Sequence, residues 1–240
     1  MKVKDQIYQQ PLTEVAGFSF DAAVAQVFPD MIQRSVPGYL TLVENIGVIG
    51  AQFYQTGSRC YDLGCSLGAV SFSLRRQNPQ VPIVAVDNSE AMLARCDEHL
   101  RRAGEGENIE LRCADITQLK IENASVVVLN FTLQFVELAQ REALLAEIYA
   151  GLNRGGVLIL SEKIALESAE KEQRFVDLHH GFKRANGYSD LEISQKRSAL
   201  ENVLIPETVQ QHQQRLQAVG FESVEVWFQC WNFVSLLAVK

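Results

Sequence analysis

Four short apolar segments in this 240-residue chain each stop at a glycine turn or a polar side chain, and a helical pattern separates most of them. They are Arg59–Leu63, running into Gly64; Val81–Val86, before Asp87; Ile109–Ala114, before Asp115; and Ala124–Leu129, before Asn130. Near-uniform apolar strands that alternate with helices are buried on both faces, which is the condition of a parallel sheet. A fifth segment, Val157–Leu160, follows a helical stretch over about Glu137–Leu152 and the pair Gly155-Gly156. Ser223–Trp231 and Phe233–Val239 flank Asn232 and predict an antiparallel pair. The pattern therefore predicts an α/β fold with a doubly wound, mostly parallel seven-stranded sheet and an antiparallel last strand.

The flanking segments add helices. Asp21 stands where an N-cap belongs, ahead of Ala22–Phe28, and Pro29 is expected to end or kink that helix. Tyr39, Val43, Ile46, Ile49 and Phe53 recur at spacings of three and four, an amphipathic helix. Residues 1–56 thus read as an N-terminal helical extension whose first twenty residues are extended and poorly patterned. Residues 164–205 read as a charge-rich helical insertion before the last two strands, acting as cover or dimer segment. Pro206–Val219 reads as a helix stopped by Gly220. Residues 1–240 make one domain on this reading.

Composition narrows the classes. Apolar residues are 47% and charged residues 21%, enough for a core and too apolar for disorder. Twenty-two Lys and Arg against 29 Asp and Glu give a net charge of −7 with no basic run, so direct nucleic-acid binding is not expected. No stretch approaches the roughly 18 apolar residues of a membrane span. Met1–Gln6 carries two lysines without an apolar region behind them, unlike a signal peptide. The five scattered cysteines form no C-x-x-C pair and read as small hydrophobes, and the four histidines make no metal constellation. A cytoplasmic, metal-free protein is expected.

Ligands of such sheets bind beyond the carboxyl ends of the strands. Asp87 lies nineteen residues after Gly68, where a carboxylate accepts the ribose hydroxyls of a nucleoside. The turn Asp62-Leu-Gly64-Cys-Ser66-Leu-Gly68 selects which nucleoside. A dinucleotide fingerprint would put glycine at position 66 to let backbone approach a pyrophosphate, and Ser66 hinders that. S-adenosyl-L-methionine has no pyrophosphate. Asp-x-Gly-x-Ser-x-Gly resembles the first motif of Rossmann-like S-adenosyl-L-methionine enzymes.

Five further stretches narrow the resemblance: Phe28–Tyr39, Tyr61–Ser66, Leu129–Phe135, Phe182–Tyr188 and Ile193–Ser198. From about Phe20 onward the chain resembles the carboxy-S-adenosyl-L-methionine synthase family. The resemblance implies transfer of the carboxyl group of prephenate to the methyl carbon of S-adenosyl-L-methionine. The products would be carboxy-S-adenosyl-L-methionine and phenylpyruvate, the former serving wobble-uridine modification of tRNA. A sulfonium methyl is acidified by its neighbouring charge, so a transient ylide capturing CO2 in a closed site is chemically reasonable.

Carried over residue by residue, the implied ligand contacts are Tyr39, Gly64, Cys65, Ser66, Asp87, Asn88, Asp115, Ile116, Asn130 and Arg197. Tyr39 would approach the amino-acid end. Cys65 would offer backbone rather than a nucleophile, since nothing beside it in sequence activates a thiolate. Asp115 would accept from the adenine amine with Ile116 against the ring, and Asn130 would hold the ammonium or orient the reacting centre. Arg197 is the implied catalytic residue, a guanidinium fork for the new carboxylate. His179, His180, Lys183 and Arg184 read as part of a solvated or interface helix. Phe175, Leu178, Phe182, Tyr188 and Leu191 read as a patch that a homodimer would cover. Two other functions use the same fold: an ordinary methyltransferase acting on a small molecule or tRNA, and a nucleoside-binding module without chemistry.

Overall fold

The apolar segments become neighbouring strands of one sheet, with Ile109–Cys113 at its edge. The computed structural model describes residues 3–240, so Met1 and Lys2 of the segment compared with a signal peptide lie outside the described residues. β1 (Arg59–Leu63) pairs in parallel with β2 (Ile83–Asp87) and β4 (Ala124–Asn130). β2 pairs likewise with β3 (Ile109–Cys113), and β4 with β5 (Leu152–Lys163). β6 (Ser223–Cys230) and β7 (Phe233–Val239) form the expected antiparallel pair. β7 lies between β5 and β6, giving the order β3-β2-β1-β4-β5-β7-β6 with β7 alone reversed. Val126–Leu129 and Val157–Leu160 have no solvent exposure because helices cover both faces.

The helices are α1 (Ala22–Ser35), α2 (Tyr39–Phe53), α3 (Ala69–Gln77), α4 (Glu90–Ala103), α5 (Leu138–Gly151), α6 (Ala169–Ala185), α7 (Asp190–Leu200) and α8 (Val209–Val219). Leu144, Leu145 and Ile148 of α5 and Leu216 of α8 pack on the face that carries Tyr61, Leu63, Val127 and Leu129. Leu42 and Ile46 of α2 and Val70 and Leu74 of α3 pack on the face that carries Cys60, Ala85, Val126 and Val128. Strand residues alternate between the two sets with the period of two that a pleated strand requires.

Two helix boundaries differ from expectation, and β5 starts at Leu152 rather than at Val157. α1 does not end at Pro29. It continues to Ser35, and burial of Val27, Met31 and Arg34 on either side outweighs the hydrogen bond that proline cannot donate. α8 starts at Val209 because Thr208 accepts from the Gln211 N–H while the Gln211 side chain accepts from the Thr208 N–H, a capping box that fixes the first turn.

Candidate active site

The carboxyl ends of β1–β5 open onto one cavity of about 640 Å³, and every residue named above as a ligand contact lines it. The charge changes sign across the sheet. Asp115 follows β3, Asp87 ends β2, Asp62 lies in β1, Asn130 ends β4, and Lys163 ends β5. The cavity therefore has an acidic half over β3, β2 and β1 and a cationic half beyond β4.

The acidic half is built on the turn after β1. Gly64 has φ +79°, and a Cβ there would lie 2.3 Å from Thr132 Oγ1, so the turn accepts only glycine without rearrangement. Ser66 also adopts positive φ, at 51°. The N–H groups of Gly64 and Cys65 both donate to the Val86 carbonyl, at 2.8 and 2.9 Å. Cys65 thus has its N–H engaged and its thiol buried, and a hydrogen bond with Cys96 together with burial pushes that thiol well up. Its carbonyl accepts from the Gly68 N–H at 2.8 Å and keeps one lone pair. Asp62 lies beneath, accepting from Ser71 N–H at 3.0 Å and Ser71 Oγ–H at 2.7 Å, and burial pushes it up to about 6.

Asp87 accepts from Ser66 N–H through Oδ2 and from Ser89 N–H through Oδ1, both at 2.9 Å. Each oxygen keeps a lone pair for a ligand. Asn88 lies exposed beside it. Asp115 Oδ1 accepts from the N–H and hydroxyl of Thr117, both at 2.8 Å, capping a short 3-10 turn at the cavity wall. Ile116 offers apolar surface next to it. Asn130 Oδ1 is buried with no hydrogen-bond partner among the described residues. Tyr39 is buried with its ring 6.5 Å from that of Phe131. S-adenosyl-L-methionine fits this half: paired acceptors for ribose hydroxyls, an acceptor and apolar wall for adenine, and the orphaned amide oxygen for an ammonium.

The cationic half comes from the insertion, and here the structure corrects the solvated-helix reading. His179 and Lys183 of α6 are buried, and both line the cavity with His180. His179 Nε2–H donates to the Ser35 carbonyl at 2.7 Å, and burial pushes the ring down to about 3, so it is neutral. Arg184 alone of that group faces outward, paired with Asp190. Lys196 of α7 is buried with Nζ 3.3 Å from Ser35 Oγ, and burial lowers it to about 8. Arg197 lines the cavity beside it, with no hydrogen bond or ion pair among the described residues. α6 and α7 thus cover the site of their own chain.

Several contributors carried no pattern in the sequence. The N-terminal stretch crosses α7, where Gln195 Nε2–H donates to the Tyr8 and Gln10 carbonyls, both at 2.9 Å, and it places Phe18 and Phe20 in the cavity wall. Asp5 is buried, accepting from the Tyr188 hydroxyl at 2.5 Å, while Arg34 stacks 3.8 Å from the Tyr188 ring centre. Tyr188 therefore belongs to the interior and not to the surface patch. Leu178 and Leu191 are exposed, and Phe182 packs edge-on against Trp231. Beneath the loop after β4, buried Glu162 accepts from Leu133 N–H at 3.0 Å. Among the described residues no cluster of His, Cys, Asp and Glu could hold a metal, and no helix is long and apolar enough to cross a membrane. All five cysteines are unpaired.

Comparison with known proteins follows this geometry. The sequence model of a family described as a methyltransferase domain matches residues 61–156. A carboxy-S-adenosyl-L-methionine synthase of Trichlorobacter lovleyi is 59% identical over 100% of this chain and 99% of its own. One of Vibrio cholerae is 54% identical over 100% of this chain and 98% of its own. Among solved structures, magnesium protoporphyrin IX methyltransferase of Synechocystis with bound SAM aligns at a TM-score of 0.59 and 16% identity, covering 90% of this chain and 83% of that one. Human N-acetylserotonin methyltransferase in complex with SAM aligns at 0.61 and 17% identity, covering 91% of this chain and 55% of that one. At these identities the two structures share the fold.

Proposed function

The chain belongs to the carboxy-S-adenosyl-L-methionine synthase family, and from that premise we propose that it moves the carboxyl group of prephenate onto the methyl carbon of S-adenosyl-L-methionine. The observation that carries this reading is Arg197, a guanidinium that lines the cavity without a partner among the described residues. A cation on the same cavity as a sulfonium is repulsive unless an anion lies between them. Methyl transfer to an outside acceptor forms none. Carboxylation does, and a planar fork meets the new carboxylate bidentately.

The balance is closed. Prephenate gives up its ring carboxyl as CO2 and its ring hydroxyl as hydroxide. The methyl carbon loses a proton and bonds to CO2, the proton and hydroxide leave as water, and phenylpyruvate is the second product. On this reading Asp87 and Asp115 hold ribose and adenine, Asn130 holds the ammonium, and Arg197 receives the carboxylate. The cover made by α6, α7 and the N-terminal stretch keeps water from CO2.

The product would supply wobble-uridine modification of tRNA, with the RNA contacted by a later enzyme, in keeping with the net charge of −7 here. The five unpaired cysteines support a cytoplasmic setting. Exposed Leu178 and Leu191 on the cover support a homodimer. Denaturing the purified protein and weighing the released nucleoside tests the class of reaction. Carboxy-S-adenosyl-L-methionine is expected, whereas S-adenosylhomocysteine would indicate an ordinary methyltransferase.

A further inference from the structure

We propose that Lys183 and Lys163 form the subsite for the carboxylate that the donor keeps, so that its two carboxylates are read by different cations. This rests on the carboxyl-transfer reading. A donor that surrenders one carboxyl group and retains another needs two anion positions. The retained group must stay held while the other departs, otherwise the fragments separate before the new C–C bond forms.

On that reading Arg197 takes the transferred group, and the second position comes from other elements. Lys183 projects from α6 and Lys163 from the end of β5, both line the cavity, and neither Nζ has a hydrogen-bond partner among the described residues. Lys196 differs, because its Nζ is tied to Ser35 Oγ at 3.3 Å. Glu172, the carboxylate whose charge acts on Lys163, accepts from Leu166 N–H through Oε2 at 2.8 Å and makes no ion pair with that lysine. His179 is neutral and turned to the Ser35 carbonyl.

A buried lysine without an anion does not stabilise a fold. Burial, then the charges of Lys196 and Lys163, hold Lys183 down to about 7. An arriving carboxylate offsets that repulsion, as expected of a site shaped for an anion.

The test uses the full-length protein saturated with S-adenosylhomocysteine, which fills the nucleoside half and has no methyl group to react. Phenylpyruvate, which carries only the retained carboxylate, is then titrated by calorimetry. Lys183→Met and Lys163→Met should each weaken it about tenfold or more. Lys183→Arg should keep most of the affinity, and Arg197→Ala should leave it near wild type. S-adenosylhomocysteine affinity should hold throughout. The proposal is overturned if both methionine variants bind phenylpyruvate like wild type, if S-adenosylhomocysteine affinity falls in step, or if wild type binds no phenylpyruvate. Turnover of S-adenosyl-L-methionine with prephenate is a separate readout. Its absence removes the carboxyl-transfer reading, while the calorimetry reports on the carboxylate subsite alone.

Discussion

The backbone N–H of Ser66 donates to Oδ2 of Asp87 at 2.9 Å, joining the turn after β1 to the end of β2 as one ligand-facing edge. Asp87→Ala removes both this brace and the acceptors for ribose. S-adenosyl-L-methionine affinity should fall about tenfold or more, the loss of charge-assisted hydrogen bonds worth roughly 1.5–3 kcal/mol. Calorimetry on a folded variant decides it, and unchanged affinity would remove Asp87 from the ribose position.

Glu162 gives a pH signature. Burial pushes its carboxyl up to about 8, against pulls from Arg141 and from the backbone of Gln134 and Leu133, with Glu207 adding to the rise. Unfolded, it ionises near the ordinary 4.5. Between those values unfolding releases a proton, so this group's contribution is full below 4.5 and is lost as pH rises through 8. Glu162→Gln keeps an acceptor for Leu133 N–H and cannot ionise. Its melting temperature relative to wild type should climb from pH 5 to pH 8, whereas a constant difference would show that Glu162 does not titrate in this window.

Arg197→Ala should bind carboxy-S-adenosyl-L-methionine about tenfold or more weakly and keep most affinity for S-adenosyl-L-methionine. Arg197→Lys should recover part of the difference. The curves must be compared at one ionic strength. Equal weakening of both ligands would place Arg197 at the methionyl end or in the fold.

Light scattering at micromolar concentration should give twice the 26.8 kDa chain mass, and Leu178→Glu with Leu191→Glu should halve it. A wild-type monomer would contradict the patch reading.

How far the sequence speaks depends on whether a residue's surroundings are local. Asp87, Asp115 and Asn130 are legible because a strand that ends in a polar side chain delivers it to the rim of a parallel sheet whatever the rest of the chain does. Lys183 and His179 are not, because α6 is charge-rich and His179 is held inside by Ser35, 144 residues away. The N-terminal stretch shows no periodicity because side chains of α7 grip its carbonyls, as Gln195 does at Tyr8 and Gln10, and such bonds impose no apolar repeat. Tyr188 looks like surface in a helical segment, yet Asp5 and Arg34, both distant in sequence, draw it inside.

Carboxyl transfer itself is tested most directly by following the carbon. Prephenate labelled in its ring carboxyl is incubated with S-adenosyl-L-methionine and the purified protein, and the nucleoside and keto acid are weighed by mass spectrometry. The account predicts labelled carboxy-S-adenosyl-L-methionine and unlabelled phenylpyruvate in equal amounts. S-adenosylhomocysteine as the nucleoside product, or carboxy-S-adenosyl-L-methionine without the label, would contradict it.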